Sequence, residues 1–398
     1  MHFCAGNVKH NRNHLHLLLL LLGITQSNRF MEKKQTKDIL KSNRKPIRVG
    51  ITTGDLNGIG PEVIIKSLRN KNMLEECIPV IYGSTKTMAY HKKAIEDTFF
   101  NYHRIEDAAD AQPRKINVVA CWKEIVDMKL GEPSEIGGKY AFESLKAATD
   151  DLAAGKVDVL VTAPISKETI QMAGFEFPGH TEYLADLSGK QEALMMMVAD
   201  ELRVALVTSH IALKDVVEEV TTEKIIQKLK EFEKSLKNDF GIIRPRIAVL
   251  GLNPHAGEKG KMGEEEANVI NPAILKAKES GLLTFGPYPA DGFFGSRQYT
   301  DFDGVLAMYH DQGLTGFKSL AFNDGVNFTA GLPIVRTSPD HGTAFDIAGE
   351  GCADEQSMRS AIYLAMDIYR TRERIKEMNE NPLPISEKKD KRQSKRRS

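Results

Sequence analysis

Asp303–Gly313 reads DGVLAMYHDQG. Gly304 to Met308 is a short apolar run, the pattern of a strand buried on both faces. It stops at Tyr309-His310-Asp311-Gln312-Gly313, so groups able to take protons or bind a metal stand where a core strand gives out. The design recurs in Leu202–His210, LRVALVTSH, and in Arg246–His255, RIAVLGLNPH. In open α/β sheets ligands bind beyond the carboxyl ends of the strands, where three strand-terminal histidines, His210, His255 and His310, can converge. Any one of them alone reads equally as a hydrogen-bonded loop residue. Three in equivalent positions point to a divalent metal, because neutral imidazole suits zinc, iron, cobalt and nickel, and three protein ligands with an open position is the usual catalytic zinc site. Their wide separation in sequence excludes a local metal finger.

The chain has 398 residues, enough for one large or two medium domains. Its 54 basic and 54 acidic residues balance, which argues against nucleic-acid or membrane partners for the bulk of the protein. Cys4, Cys77, Cys121 and Cys352 are scattered without a CxxC pair, fitting a reducing cytoplasmic compartment better than a disulfide scaffold. Leu15–Ile24, LHLLLLLLGI, is shorter than the roughly 20 residues a membrane span needs. Met31 opens a charged lead into the first predicted strand, so residues 1–30 read as an upstream extension outside the working protein, and residues 1–46 together as an N-terminal extension. The polar, basic segment 381–398 reads as a solvated, disordered tail.

Strands are predicted at Ile47–Thr52, Ile78–Tyr82, Ile116–Ala120, Val157–Thr162, Val204–Thr208, Ile247–Leu252 and Val305–Met308, with helices at Gly138–Ala153 and Thr222–Asn238 between them. This alternation predicts a largely parallel sheet covered by helices. Thr53–Glu62, TGDLNGIGPE, is a strand-to-helix turn with proline at the helix start, either a tight turn or an anion-facing loop. Thr181 reads either as a helix N-cap with His180 packing beside it or as part of a site. Gly331–Thr337 looks like a strand ending in a polar group. Lys318, Asn327 and Arg336, nine residues apart among glycines, are either solvated groups or an anion clamp. His341 is read as a turn residue.

Taken together in order, GDLNGIGPE, TAPISK, PGHTEY, LRVALVTSH, GLNPHAGE, PADG, MYHDQG and FNDGVNFTAGLPIVRTSPDHGTAFDIAG resemble the 4-hydroxythreonine-4-phosphate dehydrogenase (PdxA) family over about residues 47–370. Leu56-Asn57 stands where many relatives carry Pro-Ala. The resemblance implies two α/β/α domains of the isocitrate and isopropylmalate dehydrogenase type, 47–145 with 318–380 and 146–317, and an interdomain site at a homodimer interface. It implies His210, His255 and His310 as ligands of one divalent ion, zinc before cobalt or magnesium, and His180, Thr181, Lys318, Asn327 and Arg336 as substrate-binding residues. The implied reaction is NAD-dependent oxidation and decarboxylation of 4-phosphooxy-L-threonine, in pyridoxal phosphate biosynthesis. Relatives acting on threonate or erythronate phosphates share the motifs, and the alternative of another class is a non-catalytic metal- or phosphate-binding protein on the same scaffold. The residues that would contact NAD are not assigned. Asp291 and Asp311 are the first carboxylates to consider as proton acceptor, with Asp311 better placed to orient a histidine. Lys318 would pair with a substrate anion or donate a proton.

Overall fold

The computed structural model describes residues 45–189 and 193–380; the expected terminal segments therefore lie almost wholly outside the described residues. Twelve strands form one sheet: β1 Ile47–Thr52, β2 Cys77–Gly83, β3 Tyr102–Ile105, β4 Ile116–Ala120, β5 Val159–Thr162, β6 Leu194–Ala199, β7 Leu202–Leu206, β8 Arg246–Leu250, β9 Leu283–Tyr288, β10 Gly304–Ala307, β11 Val326–Ala330 and β12 Arg336–Pro339. Their spatial order is β3-β4-β2-β1-β5-β12-β11-β6-β7-β10-β8-β9. The first six positions run parallel, and so do the last four. Between them, β12/β11, β11/β6 and β6/β7 are all antiparallel. Three reversals leave the second parallel block running opposite to the first. The expected largely parallel α/β sheet is present, with an antiparallel seam at its centre. β5 pairs with β1 in the first block, so the sheet does not divide at residue 146.

Alternation along the strands feeds two layers. On one face a single core runs the whole width, from Val49, Ile51 and Val161 through Phe328 and Met196 to Ile247 and Leu306. Helix α1, Thr222–Asn238, supplies Ile225, Leu229, Phe232 and Leu236 to it at the predicted spacing. On the other face the apolar layer is split, one cluster around Val80, Tyr82 and Leu160 and another around Leu206, Leu250 and Ala307. Polar residues of the seam fill the gap.

The turn at Gly54 is closed by protein. Asp55 donates its amide to the Pro164 carbonyl at 3.0 Å, and its buried carboxylate accepts from Asn57 N at 3.0 Å and Thr169 Oγ1 at 2.8 Å. Residues 53–60 are all buried. Several expectations need correction. Arg336 begins β12 and does not end a strand, because Gly331 to Val335 form the connection from β11. The helix His180–Leu187 is capped at Gly179 without a side-chain bond, so Thr181 is not its N-cap. β3, β6, β9 and β11 were not anticipated: YHRI carries charge, LMMMVA lacks β-branching in its first half, LTFGPY holds glycine and proline, and VNFTA is interrupted by Asn327.

The helix Lys167–Met172 packs against the helix Glu135–Ala153 at Gly138, where a Cβ would stand 1.9 Å from the Thr169 carbonyl oxygen. Gly→Ala inside a helix ordinarily stabilises by about 1 kcal/mol. Here the backbone clash reverses the sign, and Gly138→Ala is expected to destabilise by about 1–3 kcal/mol in urea titration. A more stable Gly138→Ala protein would contradict this packing.

Candidate active site

Register places Arg336 and Ser338 of β12 on one face with Asn327 and Thr329 of β11 and Met195 of β6, since Asn327 lies opposite Ser338 and Thr329 opposite Met195. A cavity of about 250 Å³ opens over this seam. Arg336 lies on its wall, only 3 % exposed. Its guanidinium donates to Thr162 Oγ1 from Nε (3.0 Å) and Nη2 (2.7 Å), and to Thr329 Oγ1 from Nη1 (3.0 Å). Nη2 also meets His180 Nδ1 at 3.2 Å. None of these partners carries a negative charge. Burial lowers the Arg336 pKa to about 10, with the charge of Glu182 acting in the opposite direction. A buried cation held by hydroxyls and an imidazole is a receptor for an anion.

His180 shows where that anion would be met. A guanidinium only donates, so His180 Nδ1 is the acceptor and the proton of the neutral ring sits on Nε2. Nε2 is buried and has no partner, as are Asn327 Oδ1 and His341 Nε2. Burial, and then the charge of Arg336, push the His180 pKa well below the ordinary histidine value. Thr181, Asn327 and His341 all line the cavity. His341 is therefore not simply the turn residue the sequence implied.

Lys318, one of the expected anion-binding residues, pairs with Asp340 Oδ1 at 3.1 Å. Burial raises the Asp340 carboxyl and the Lys318 charge opposes that rise. Asp291 is exposed in the short helix Ala290–Gly295. Asp311 Oδ1 lies 2.7 Å from His310 Nδ1, the contact a carboxylate that orients a histidine would make.

The histidine-bearing segments leave β7, β10 and β8, which are neighbours and parallel. His210 and His310 have ring centroids 6.0 Å apart, compatible with two imidazoles facing one ion. His210 Nδ1 is 4.0 Å from Glu182 Oε1. Burial, then the charge of Lys167, lower the His210 pKa. His255 lies beyond β8 in a left-handed run, with φ of 54° at His255, 49° at Ala256 and 40° at Glu258. Among the described residues no three His, Cys, Asp or Glu side chains come close enough together to hold an ion. The structure brings two of the three expected ligands together. It also reveals partners that sequence reading missed: Thr162, Thr329 and Glu182. Only strand register, or the helix packing across the cavity, marks them out.

Comparison with known proteins decides the family. The pattern of the family described as pyridoxal phosphate biosynthetic protein PdxA matches residues 75–365. The chain belongs to the PdxA family. A 4-hydroxythreonine-4-phosphate dehydrogenase from Bacteroides thetaiotaomicron is 51 % identical over 338 residues, covering 85 % of this chain and 93 % of that protein. A protein from Oceanobacillus iheyensis named as a D-threonate 4-phosphate dehydrogenase by inference is 42 % identical, covering 83 % of this chain and all (100 %) of that one. The crystal structure of the 4-hydroxythreonine-4-phosphate dehydrogenase from Klebsiella pneumoniae superposes with TM-score 0.72 at 38 % identity, covering 82 % and 99 % of the two chains. Among the described residues no helix is long and apolar enough to cross a bilayer.

A buried neutral His180 has a consequence for stability. Above about pH 6.5 neither state holds the extra proton; below it the unfolded chain binds one and the folded site does not. Stability therefore falls as pH drops from about 6.5 toward the lowered folded value. His180→Gln should make that fall shallower in urea titrations across pH, and the His180 ring resonances should not titrate between about pH 8 and 6. A His180 midpoint near 6.5 would contradict the assignment.

Proposed function

We propose that this chain catalyses the NAD-dependent oxidation and decarboxylation of 4-phosphooxy-L-threonine to 3-amino-2-oxopropyl phosphate, as a cytoplasmic homodimer whose site uses residues of both subunits. The observation that carries the reading is the Arg336 guanidinium, buried without a carboxylate beside the free His180 Nε2 proton. A phosphorylated substrate supplies the charge and the acceptor oxygens that this pocket lacks. The family, and relatives named for this activity, support the choice of substrate.

In this reading His180, Thr181, Asn327 and Arg336 hold the anionic end of the substrate; the seam of the sheet spaces Asn327 and Arg336, and the helix His180–Leu187 brings His180 onto the guanidinium. Lys318, kept in place by Asp340, pairs with the second anion or returns a proton to the carbon that has lost carbon dioxide. NAD supplies the hydride acceptor. A zinc, cobalt or magnesium ion held by His210, His255 and His310 would supply a Lewis acid beside the reacting hydroxyl. Loss of hydride from the secondary alcohol also requires a proton acceptor, and Asp291, exposed and in no ion pair among the described residues, is the carboxylate assigned to it. Asp311 orients His310. The resulting 3-oxo acid loses carbon dioxide with its bonding pair delocalised into the ketone, and protonation of the enolate completes the reaction.

The 42 % identical relative named for D-threonate 4-phosphate gives a second reading, in which the same anion pocket serves a substrate without the amino group. Steady-state NADH formation with each phosphorylated acid separates the two. A higher kcat/KM for 4-phosphooxy-L-threonine supports the first reading, and a higher value for D-threonate 4-phosphate replaces it. Arg336→Ala should weaken substrate binding by about 2–5 kcal/mol, the usual result of truncating one partner of a desolvated charge pair. Arg336→Lys should recover only part, because lysine lacks the planar fork. An unchanged KM and kcat in Arg336→Ala would remove Arg336 from the site.

A further inference from the structure

The three histidine-bearing turns are linked by hydrogen bonds, and the link between the His310 and His255 turns passes through the side chain of Gln312. Thr208, two residues before His210, reaches the Met308 carbonyl twice, from its amide at 3.2 Å and its hydroxyl at 2.8 Å. Met308, two residues before His310, donates its amide to Gln312 Oε1 at 2.8 Å. Gln312 Nε2 in turn donates to the Gly251 carbonyl at 2.6 Å, at the start of the loop that carries His255. The ends of β7, β10 and β8 are thus tied in a row.

We infer that Gln312 is a positioning residue that sets the spacing of the His310 and His255 turns; the inference rests on the proposal that these histidines bind one metal ion. An uncharged amide has both a donor and an acceptor at the end of a flexible stem, and Gln312 uses one of each on backbone groups of two different strands. The His255 loop needs such an anchor. Residues 255 to 259 all have positive φ, a run that L-residues disfavour and that persists only where surrounding contacts impose it. The next anchor along this loop is Glu266, whose Oε1 accepts from Leu252 N and Asn253 N, each at 2.7 Å. The Gly251 amide is also held, donating to the Tyr288 carbonyl at 2.8 Å toward β9; Gln312 adds the tie toward the His310 turn, and Glu266 fixes the first bend of the loop.

The test is zinc affinity, measured on purified protein by competition with a chromophoric chelator, so the readout does not depend on turnover. Gln312→Met keeps the length and removes both bonds; its zinc Kd should rise 10- to 100-fold, the range typical of losing a group that orients metal ligands. Gln312→Glu keeps the acceptor for Met308 N but loses the donor to Gly251. It should also bind zinc more weakly, and it carries the test if Gln312→Met does not fold. Ser144→Ala is the control for lost buried bonds elsewhere, since Ser144 Oγ donates to the Tyr82 carbonyl at 2.7 Å and accepts from Thr53 N at 3.0 Å. It should leave zinc affinity within about twofold of the parent, below any change expected for a lost orienting group. Zinc affinity unchanged in both Gln312 variants, or reduced equally by Ser144→Ala, overturns the positioning role alone. Failure of the parent protein to bind stoichiometric zinc overturns the metal reading and this inference with it.

Discussion

Everything distinctive about this molecule is arranged around a guanidinium buried without a counter-ion. Taking the charge of Arg336 out of water costs several kcal/mol unless hydrogen bonds and an opposite charge offset it. Thr162, Thr329 and His180 provide the hydrogen bonds. The opposite charge is left to a ligand, with Glu182 acting only from a distance. Pairing the guanidinium with a buried carboxylate would offset that cost within the protein; in the proposed function an anionic ligand supplies the opposite charge instead.

The sheet explains how such a group can sit at the centre of the fold. One face has a single apolar core across both parallel blocks, and it holds the twelve strands together. That continuity permits the other face to be interrupted by polar residues. Because the blocks run in opposite senses, their carboxyl ends point toward opposite edges of the sheet, and a site that uses both must lie across the seam. β5 contributes Thr162 and the Pro164 to Lys167 segment from one side; β7 and β10 contribute His210 and His310 from the other.

Much of this was legible in the sequence. Strands buried on both faces are mostly apolar, so β1, β4 and β10 could be located nearly to the residue despite Arg48 and Asn117 in the first two, and the histidines beyond β7, β8 and β10 stood out because the apolar runs before them end abruptly. α1 was legible because four apolar residues recur at helical spacing. The seam was not. β6 opens on Leu-Met-Met-Met without β-branching, and β11, although it alternates apolar and polar residues, is only five residues long and opens beside Gly325. Without those strands the reversal of the second block cannot be inferred, nor can the direction in which Arg336 points. Thr162 and Thr329 look like ordinary strand residues until register sets them on the guanidinium. The pairing of Asp311 with His310 was foreseeable because the two are adjacent; the left-handed loop at His255 was not, since only one of its five residues is glycine.

The measurement closest to the central claim is a crystal structure of the protein with 4-phosphooxy-L-threonine bound. The phosphate or carboxylate of that molecule is expected over the seam, accepting hydrogen bonds from His180 Nε2 and from the Arg336 guanidinium. A substrate bound elsewhere, with Arg336 still contacting only Thr162, Thr329 and His180, would contradict it.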